Sequence, residues 1–304
     1  MPHLAVDIGN LKIKNPILTA SGTFGYGEEY APFINLNDLG GIIVKGLSLH
    51  PRMGNPPPRI IETASGMLNA VGLQNMGVQA FINEKLPFLR TIDTPVIANI
   101  LGETVDEYQT IAEKLSEEPT VAALEVNISC PNVKKGGIAF GANPDEAMHV
   151  VKKVKEVTHL PVIVKLSPNV TDITVIAEAV EAGGANAVSL INTITGMSIN
   201  VRSRTPHLKN TIGGLSGPAI KPIALRMVWQ VAQRVHIPVI GIGGIMTEID
   251  ALEFLIAGAT AVQIGTANFL NPKTTTEILK GIITFMETEK IDDIHDLIGT
   301  LKTD

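Results

Sequence analysis

The chain is poor in cysteine: among its 304 residues only Cys130 carries a thiol. One cysteine cannot close an intramolecular disulfide, hold an iron–sulfur cluster or complete a structural zinc site, so redox work by this chain needs a bound organic cofactor. Positive charge is not in excess either. With 24 Lys and Arg against 30 Asp and Glu the formal net charge is −6, and aromatic residues make up 4% of the chain. No basic stripe interleaved with aromatics appears, which argues against nucleic acid as a partner. No apolar run approaches the roughly 20 residues that a bilayer span requires. The segment Met1-Pro-His-Leu-Ala-Val-Asp7 lacks the basic and then apolar pattern of an export signal. A soluble cytoplasmic protein with no membrane partner is expected. The seven histidines are scattered without metal-ligand spacing, so no metal site is expected. No composition break or low-complexity linker divides the sequence, so residues 1–304 read as a single domain, a length that α/β barrels reach.

What is present is a regular alternation. Short runs rich in Val and Ile, the pattern of parallel strands buried on both faces, fall at 17–20, 41–45, 96–99, 123–128, 162–166, 187–192, 239–242 and 261–265. Longer segments of helical period separate them. Eight such units predict a (β/α)8 TIM barrel. Thr104 and Glu107 have the spacing of a capping box ahead of an apolar stripe formed by Val105, Tyr108, Ile111, Ala112 and Leu115. Asn143-Pro-Asp-Glu146 supplies a helix N-cap, a first-turn proline and acids at the positive end of the helix dipole. Leu4, Val6 and Ile8 alternate up to Gly9-Asn10, and Leu11 and Ile13 resume the pattern, which predicts an N-terminal hairpin plugging the barrel floor. Two connections are unusually long, 48–77 and 193–217. Both follow strands, and long loops of that kind are expected to be binding elements or lids over the active site.

A barrel assembles its active site at the C-terminal strand ends. Here these carry Ser21-Gly22, Lys45-Gly46, Asn99, Asn127 with Cys130, Lys165, Asn192-Thr193, Gly243-Gly244 and Gly265-Thr266. The last two pairs occupy the loops after strands seven and eight, where barrels bind phosphate through backbone N–H groups, and glycine lets that backbone come close. Two strand-end lysines can be read as Schiff-base nucleophiles, as anion holders or as salt-bridged structural residues. A flavin would employ both, one cation beside the pyrimidine edge of its ring and one shared with substrate. Asn69, Asn127, Asn132 and Asn192 offer paired donors and acceptors suited to a planar, uncharged ring bearing carbonyl and N–H groups. Cys130 lies past its strand in a loop containing Gly136-Gly137 that could cover substrate, although a free cysteine ordinarily just packs. Nucleophile, base and inert packing all remain open for it at this point.

The motifs Asn127-Ile-Ser-Cys-Pro-Asn132, Asn69-Ala-Val-Gly-Leu-Gln-Asn75, Lys45-Gly46, Val164-Lys-Leu-Ser167 and Gly241-Ile-Gly-Gly244 resemble the dihydroorotate dehydrogenase family over residues 4 to 300. The stretches 192–197 and 213–222 are similar to the NAD-linked class 1B catalytic subunit more than to the fumarate-using homodimeric class 1A. The resemblance implies FMN and oxidation of (S)-dihydroorotate to orotate in pyrimidine (UMP) synthesis, with Cys130 as the base that removes the C5 proton. It implies that Ser21, Lys45, Gly46, Asn99, Asn127, Lys165, Ile191, Gly217, Gly243, Gly244, Gly265 and Thr266 hold FMN. It assigns substrate to Lys45, Asn69, Ala70, Val71, Gly72, Leu73, Asn127, Asn132, Asn192 and Thr193. It further implies a partner subunit carrying FAD and a [2Fe-2S] cluster, in a heterotetramer of two catalytic and two electron-transfer subunits. The chain has no Gly-x-Gly-x-x-Gly fingerprint after a strand, consistent with NAD contact being delegated to that partner. Asn200 stands where the family pattern leads one to expect Asp. The competing class is a Schiff-base aldolase or isomerase barrel using Lys165, which leaves Cys130 and the amides without a task.

Overall fold

The structure, a computed structural model, describes residues 2–129 and 140–303. A hairpin comes first, β1 (Val6–Ile8) pairing antiparallel with β2 (Leu11–Ile13). Gly9 turns it with φ +61°, and a Cβ there would sit 2.7 Å from that of Asn186, the residue just before the sixth barrel strand. The turn therefore presses on the N-terminal end of the barrel, as the floor-plug expectation requires.

The chain then lays down β3 (Ile17–Thr19), β4 (Ile42–Ile43), β5 (Ile60–Thr63) and β6 (Gly66–Asn69). α1 (Val78–Ala80), a π turn (Phe81–Lys85) and α2 (Leu86–Leu89) follow. β7 (Val96–Ile100), α3 (Val105–Ser116), β8 (Val121–Asn127), α4 (Pro144–Val157), β9 (Val162–Lys165), α5 (Ile173–Ala182) and β10 (Ala187–Leu190) continue the alternation. Four short strands interrupt it: β11 (Ile194–Met197), β12 (Ile199–Asn200), β13 (Thr205–Pro206) and β14 (Ile212–Ser216). The chain ends through α6 (Lys221–Ala232), β15 (Val239–Ile242), α7 (Glu248–Ile256), β16 (Ala261–Ile264), α8 (Ala267–Leu270) and α9 (Thr274–Glu289).

The eight-stranded sheet has the order β3-β16-β15-β10-β9-β8-β7-β4, with neighbouring strands parallel throughout. It closes where β3 meets β4. Gly40 N donates to the Ile17 carbonyl at 2.9 Å, and the Thr19 hydroxyl accepts from Ile43 N at 2.9 Å, replacing a ladder rung with a side chain. The strands run where the apolar runs predicted, because Val and Ile there face either the barrel axis or the helical ring, and both sides exclude water.

The helices pack by their apolar stripes. In α3, Tyr108, Ile111, Ala112 and Leu115 are fully buried, and each large side chain contributes about 1.5–3 kcal/mol by leaving water. The predicted capping box forms only in half. Thr104 accepts from Glu107 N, but the Glu107 carboxylate reaches Glu103 N, one residue short of the cap. Asn143 caps α4 as expected, accepting from the amides of Asp145 and Glu146. A complete box occurs instead at Thr247 and Asp250.

The two long connections are not loops. β5 and β6 from the first join β11 and β14 from the second in a four-stranded antiparallel sheet of order β11-β14-β6-β5, with Gly214 opposite Asn69 and Leu215 opposite Leu68. The expected lids are one composite roof. Asn200 serves its local turn, its side-chain oxygen accepting from Arg202 N and Ser203 N, a bond that aspartate would make equally.

Candidate active site

A cavity of about 690 Å³ opens at the C-terminal ends of the barrel strands, with residues of the roof sheet over it. The sequence-derived candidates converge there. Ser21, Lys45, Gly46, the turn from Asn69 to Leu73, Asn99, Asn127, Lys165, Ile191, Asn192, Thr193, Gly217, Gly243, Gly244, Gly265 and Thr266 all line it. Cys130 and Asn132, with the Gly136-Gly137 pair, lie outside the described residues.

The glycines form one wall, and two of them require their type. Gly243 has φ +132° and Gly244 φ +75°, backbone that side-chain-bearing residues rarely adopt. A Cβ on Gly244 would stand 2.8 Å from Gly217 O and from Lys221 N. Gly241 differs: its would-be Cβ points at Phe254 Cδ1 from 2.5 Å, so that glycine serves packing inside β15. Thr266 Oγ1 and Ser216 Oγ are hydrogen-bonded at 2.8 Å beside the same wall. Behind it Lys221 Nζ ties α6 to α7 through Asp250 at 2.6 Å and Glu253 at 2.9 Å. Burial pushes the Asp250 carboxyl up, but the Lys221 ammonium and the N–H groups of Met246 and Thr247 more than offset it, holding the group below its ordinary range.

The two lysines flank that wall, Lys165 at the end of β9 and Lys45 just past β4. Lys165 is buried, and among the described residues no carboxylate lies within ion-pairing reach of it or of Lys45. Burial pulls the Lys45 ammonium below its ordinary pKa, and the charges of Arg59 and Lys165 pull it further. A cavity holding two cations without a counter-charge is built for an electron-rich or anionic occupant.

The amides are held in defined orientations. Asn127 Oδ1 accepts from Ser129 N and, at 2.6 Å, from Ser129 Oγ, which in turn accepts from Asn192 Nδ2 at 2.6 Å. Ser129 thus couples two of the candidate substrate asparagines. Asn169 fixes the start of β11 by donating to Thr193 O and accepting from Thr195 N. Asn69, at the end of β6, reaches Gly214 O at 3.4 Å, a long bond that leaves it facing the cavity under the roof. Tyr108 donates to the Asn127 carbonyl at 2.8 Å from the outer side of β8.

Ser129, Asn169 and Gln263 also line the cavity and were not among the candidates. Gln263 carries a readable signal, a polar residue inside an otherwise apolar strand, Ala-Val-Gln-Ile. Among the described residues, the buried oxygens Asn99 Oδ1 and Gln263 Oε1 have no hydrogen-bond partner. An unpaired buried acceptor is costly, which makes these atoms a test of fit. A flat heteroaromatic ring with N–H groups, electron-rich at one edge and carrying a phosphate tail, matches unpaired acceptors, unpaired cations and a glycine wall together. FMN fits the residues present.

Away from the cavity, His3, Asp293 and His295 come together, with His295 Nδ1 2.6 Å and His3 Nδ1 3.3 Å from the Asp293 carboxylate. Their separation of some 290 positions hid that grouping from spacing rules. No helix among the described residues is long and apolar enough to cross a membrane.

Comparison with known proteins gives a consistent picture. The family model described as "Dihydroorotate dehydrogenase" matches residues 3–286. A protein of Geotalea uraniireducens (strain Rf4), named dihydroorotate dehydrogenase B (NAD(+)), catalytic subunit, is 61% identical over 302 residues, covering 99% of both chains. A protein of the same name from Thermoanaerobacter sp. (strain X514) is 60% identical, covering 99% of this chain and all of its own. Among solved structures, a crystal structure of DHODH in complex with ferulenol from Eimeria tenella superposes with a TM-score of 0.81 at 22% identity, over 99% of this chain and 89% of that one, a likeness of fold.

Proposed function

The chain belongs to the dihydroorotate dehydrogenase family, and from that premise we propose that it oxidises (S)-dihydroorotate to orotate in pyrimidine biosynthesis as an NAD-linked class 1B catalytic subunit. The observation that carries the reading is one cavity in which buried Lys165, half-buried Lys45 and a glycine wall meet two amide oxygens, with no counter-charge for the lysines and no partner for the oxygens among the described residues.

FMN would be held by Gly217, Gly243, Gly244, Gly265 and Thr266 at its phosphate, with Ser21, Lys45, Gly46, Asn99, Asn127, Lys165 and Ile191 around its ring. When bound it supplies the acceptor for the hydride that leaves substrate C6. Lys165 and Lys45 place positive charge where the ring and the substrate carboxylate are richest in electrons. The turn from Asn69 to Leu73, with Asn127, Asn132, Asn192 and Thr193, orients the substrate through its amide edges. Asn69 reaches it from the roof sheet, which also excludes water, and Thr193 from the residue just before β11. Cys130 takes the C5 proton as the C6 hydride departs, so the substrate loses one proton and one hydride and gains a C5–C6 double bond.

Electrons then pass to NAD through a partner subunit carrying FAD and a [2Fe-2S] cluster, in a heterotetramer of two catalytic and two electron-transfer chains working in the cytoplasm. Residues 1–304 act as one FMN-binding domain. The test is anaerobic mixing of the yellow protein with dihydroorotate. The flavin absorption band is expected to bleach within the mixing experiment; a flavin-loaded protein that stays yellow would refute the reading. Co-purification with the partner and NAD reduction by the pair tests the class.

A further inference from the structure

Below the cavity, on the barrel axis, one carboxylate of β8 gathers side chains from three other strands. Glu125 of β8 is fully buried and does not line the cavity. Its Oε1 accepts from Ser189 Oγ of β10 at 2.8 Å and from Gln263 Nε2 of β16 at 2.6 Å. Its Oε2 accepts from Asn99 Nδ2 of β7 at 2.5 Å. Asn99 and Gln263 are themselves 0% and 1% exposed, and both do line the cavity.

An amide has a donor end and an acceptor end, and nothing in its shape decides which end faces which way. Here Glu125 decides it. By accepting from both NH2 groups it turns both carbonyl oxygens away from itself, and those are the buried oxygens left without a partner. A glutamine at 125 could not do this, since it presents one donor and one acceptor and must turn at least one neighbour around. The arrangement looks wasteful as a barrel plug, because it leaves two acceptors unpaired where an apolar layer would leave none. It makes sense if something with N–H groups occupies the cavity.

Resting on the flavin reading above, we propose that Glu125 is a positioning residue that sets the acceptor face of the cavity floor, so that Asn99 Oδ1 receives the ring N–H of the cofactor's pyrimidine edge. Glu125 touches neither cofactor nor substrate. Gly46 supports the same geometry: its missing side chain leaves room beside Asn99, whose Oδ1 lies 2.8 Å from where a Cβ would stand.

The test is a double-mutant cycle between protein and cofactor, which isolates one coupling from general destabilisation. The full chain is stripped of flavin and titrated with FMN and with N3-methyl-FMN, which lacks the ring N–H, following flavin fluorescence. In the unmodified chain FMN is expected to bind more tightly by about tenfold or more, the usual consequence of losing a hydrogen bond to a buried acceptor. Glu125→Gln should shrink that preference at least fivefold, because the turned amide opposes the N–H of FMN and has none to oppose in the analogue. Glu125→Asp, acceptor-only but too short to hold both amides, should lower it as well and serves if the glutamine variant does not fold. Ser189→Ala removes a donor that does not reach the cavity, and should weaken both flavins alike. If Glu125→Gln weakens both flavins by the same factor, the carboxylate is only a structural plug and the proposal is wrong. If the unmodified chain binds neither flavin, the flavin reading itself fails.

Discussion

Replacing Gly244 by alanine should damage the cavity wall far more than replacing Gly265, although both glycines face the same space. At Gly244 the backbone stands at φ +75°, where a Cβ costs about 1–2 kcal/mol in the left-handed region. The new methyl would also stand 2.8 Å from Gly217 O and Lys221 N, two backbone atoms that cannot swing aside as a side chain would. Overpacking of that kind costs typically 1–3 kcal/mol, so a loss on the order of 2–5 kcal/mol is expected. At Gly265 the nearest atom to the added methyl is Ala20 Cβ at 3.4 Å, ordinary contact, and φ is not positive. Gly265→Ala should stay within about 1 kcal/mol. Thermal melting of the flavin-stripped chains reads this as a fall of roughly 4–10 °C for Gly244→Ala and little change for Gly265→Ala. FMN titration should show Gly244→Ala weakened by tenfold or more, because the backbone N–H groups of the wall are displaced. Equal melting temperatures and equal FMN affinities for the two variants would refute the assignment of strain and close approach to Gly244.

Three further outcomes are expected. Lys45→Met should stabilise the flavin-stripped chain at neutral pH and abolish turnover, because burial and the charges of Arg59 and Lys165 disfavour its ammonium in the folded state. The folded pKa being lowered, the penalty is complete below that pKa and fades as pH rises through it toward the unfolded value of about 10.4; denaturation midpoints that stay parallel across alkaline pH would contradict this. Asp250→Asn should destabilise the chain at pH 7, with the difference shrinking as pH falls below about 4 through the depressed folded pKa; a gap that persists undiminished in acid would remove the Lys221 pair as its cause. Cys130→Ser should cripple turnover and move its pH dependence upward, since a hydroxyl gives up its proton much less readily than a thiol; an unaltered pH profile would rule the base assignment out.

The barrel was legible because its strands are buried on both faces. Runs such as Val162-Ile-Val164 and Val239-Ile-Gly-Ile242 have no polar side to confuse the pattern. The roof sheet was not. β6 and β14 hold Gly66, Gly213 and Gly214, residues that weaken strand propensity, and the pairing that joins the two segments, Gly214 with Asn69 and Leu215 with Leu68, spans about 145 positions, which no local pattern reveals. The candidate site was largely legible, because a strand-end position is also a cavity position in a barrel. What strand ends could not reveal was the layer beneath. Glu125, Ser189 and Gln263 sit within strands, and their only trace in the sequence is a polar residue inside an apolar run, which also fits an ordinary outward-facing position. Ser129, by contrast, stood in plain view between Asn127 and Cys130. Its role emerges only when Asn192 arrives from another strand.

The roof joins two stretches of chain that meet nowhere else in its sheet, and it rests on the barrel without being woven into it. Cooperative units of that kind open at lower free energy than the structure beneath. The amides of β6 and β14 should therefore exchange with deuterated water well before those of β8 and β9, and in one step shared by both segments. A ligand trapped under the roof would then leave at the rate of that opening, and the enclosure that protects the reaction from water would also set how quickly its product escapes.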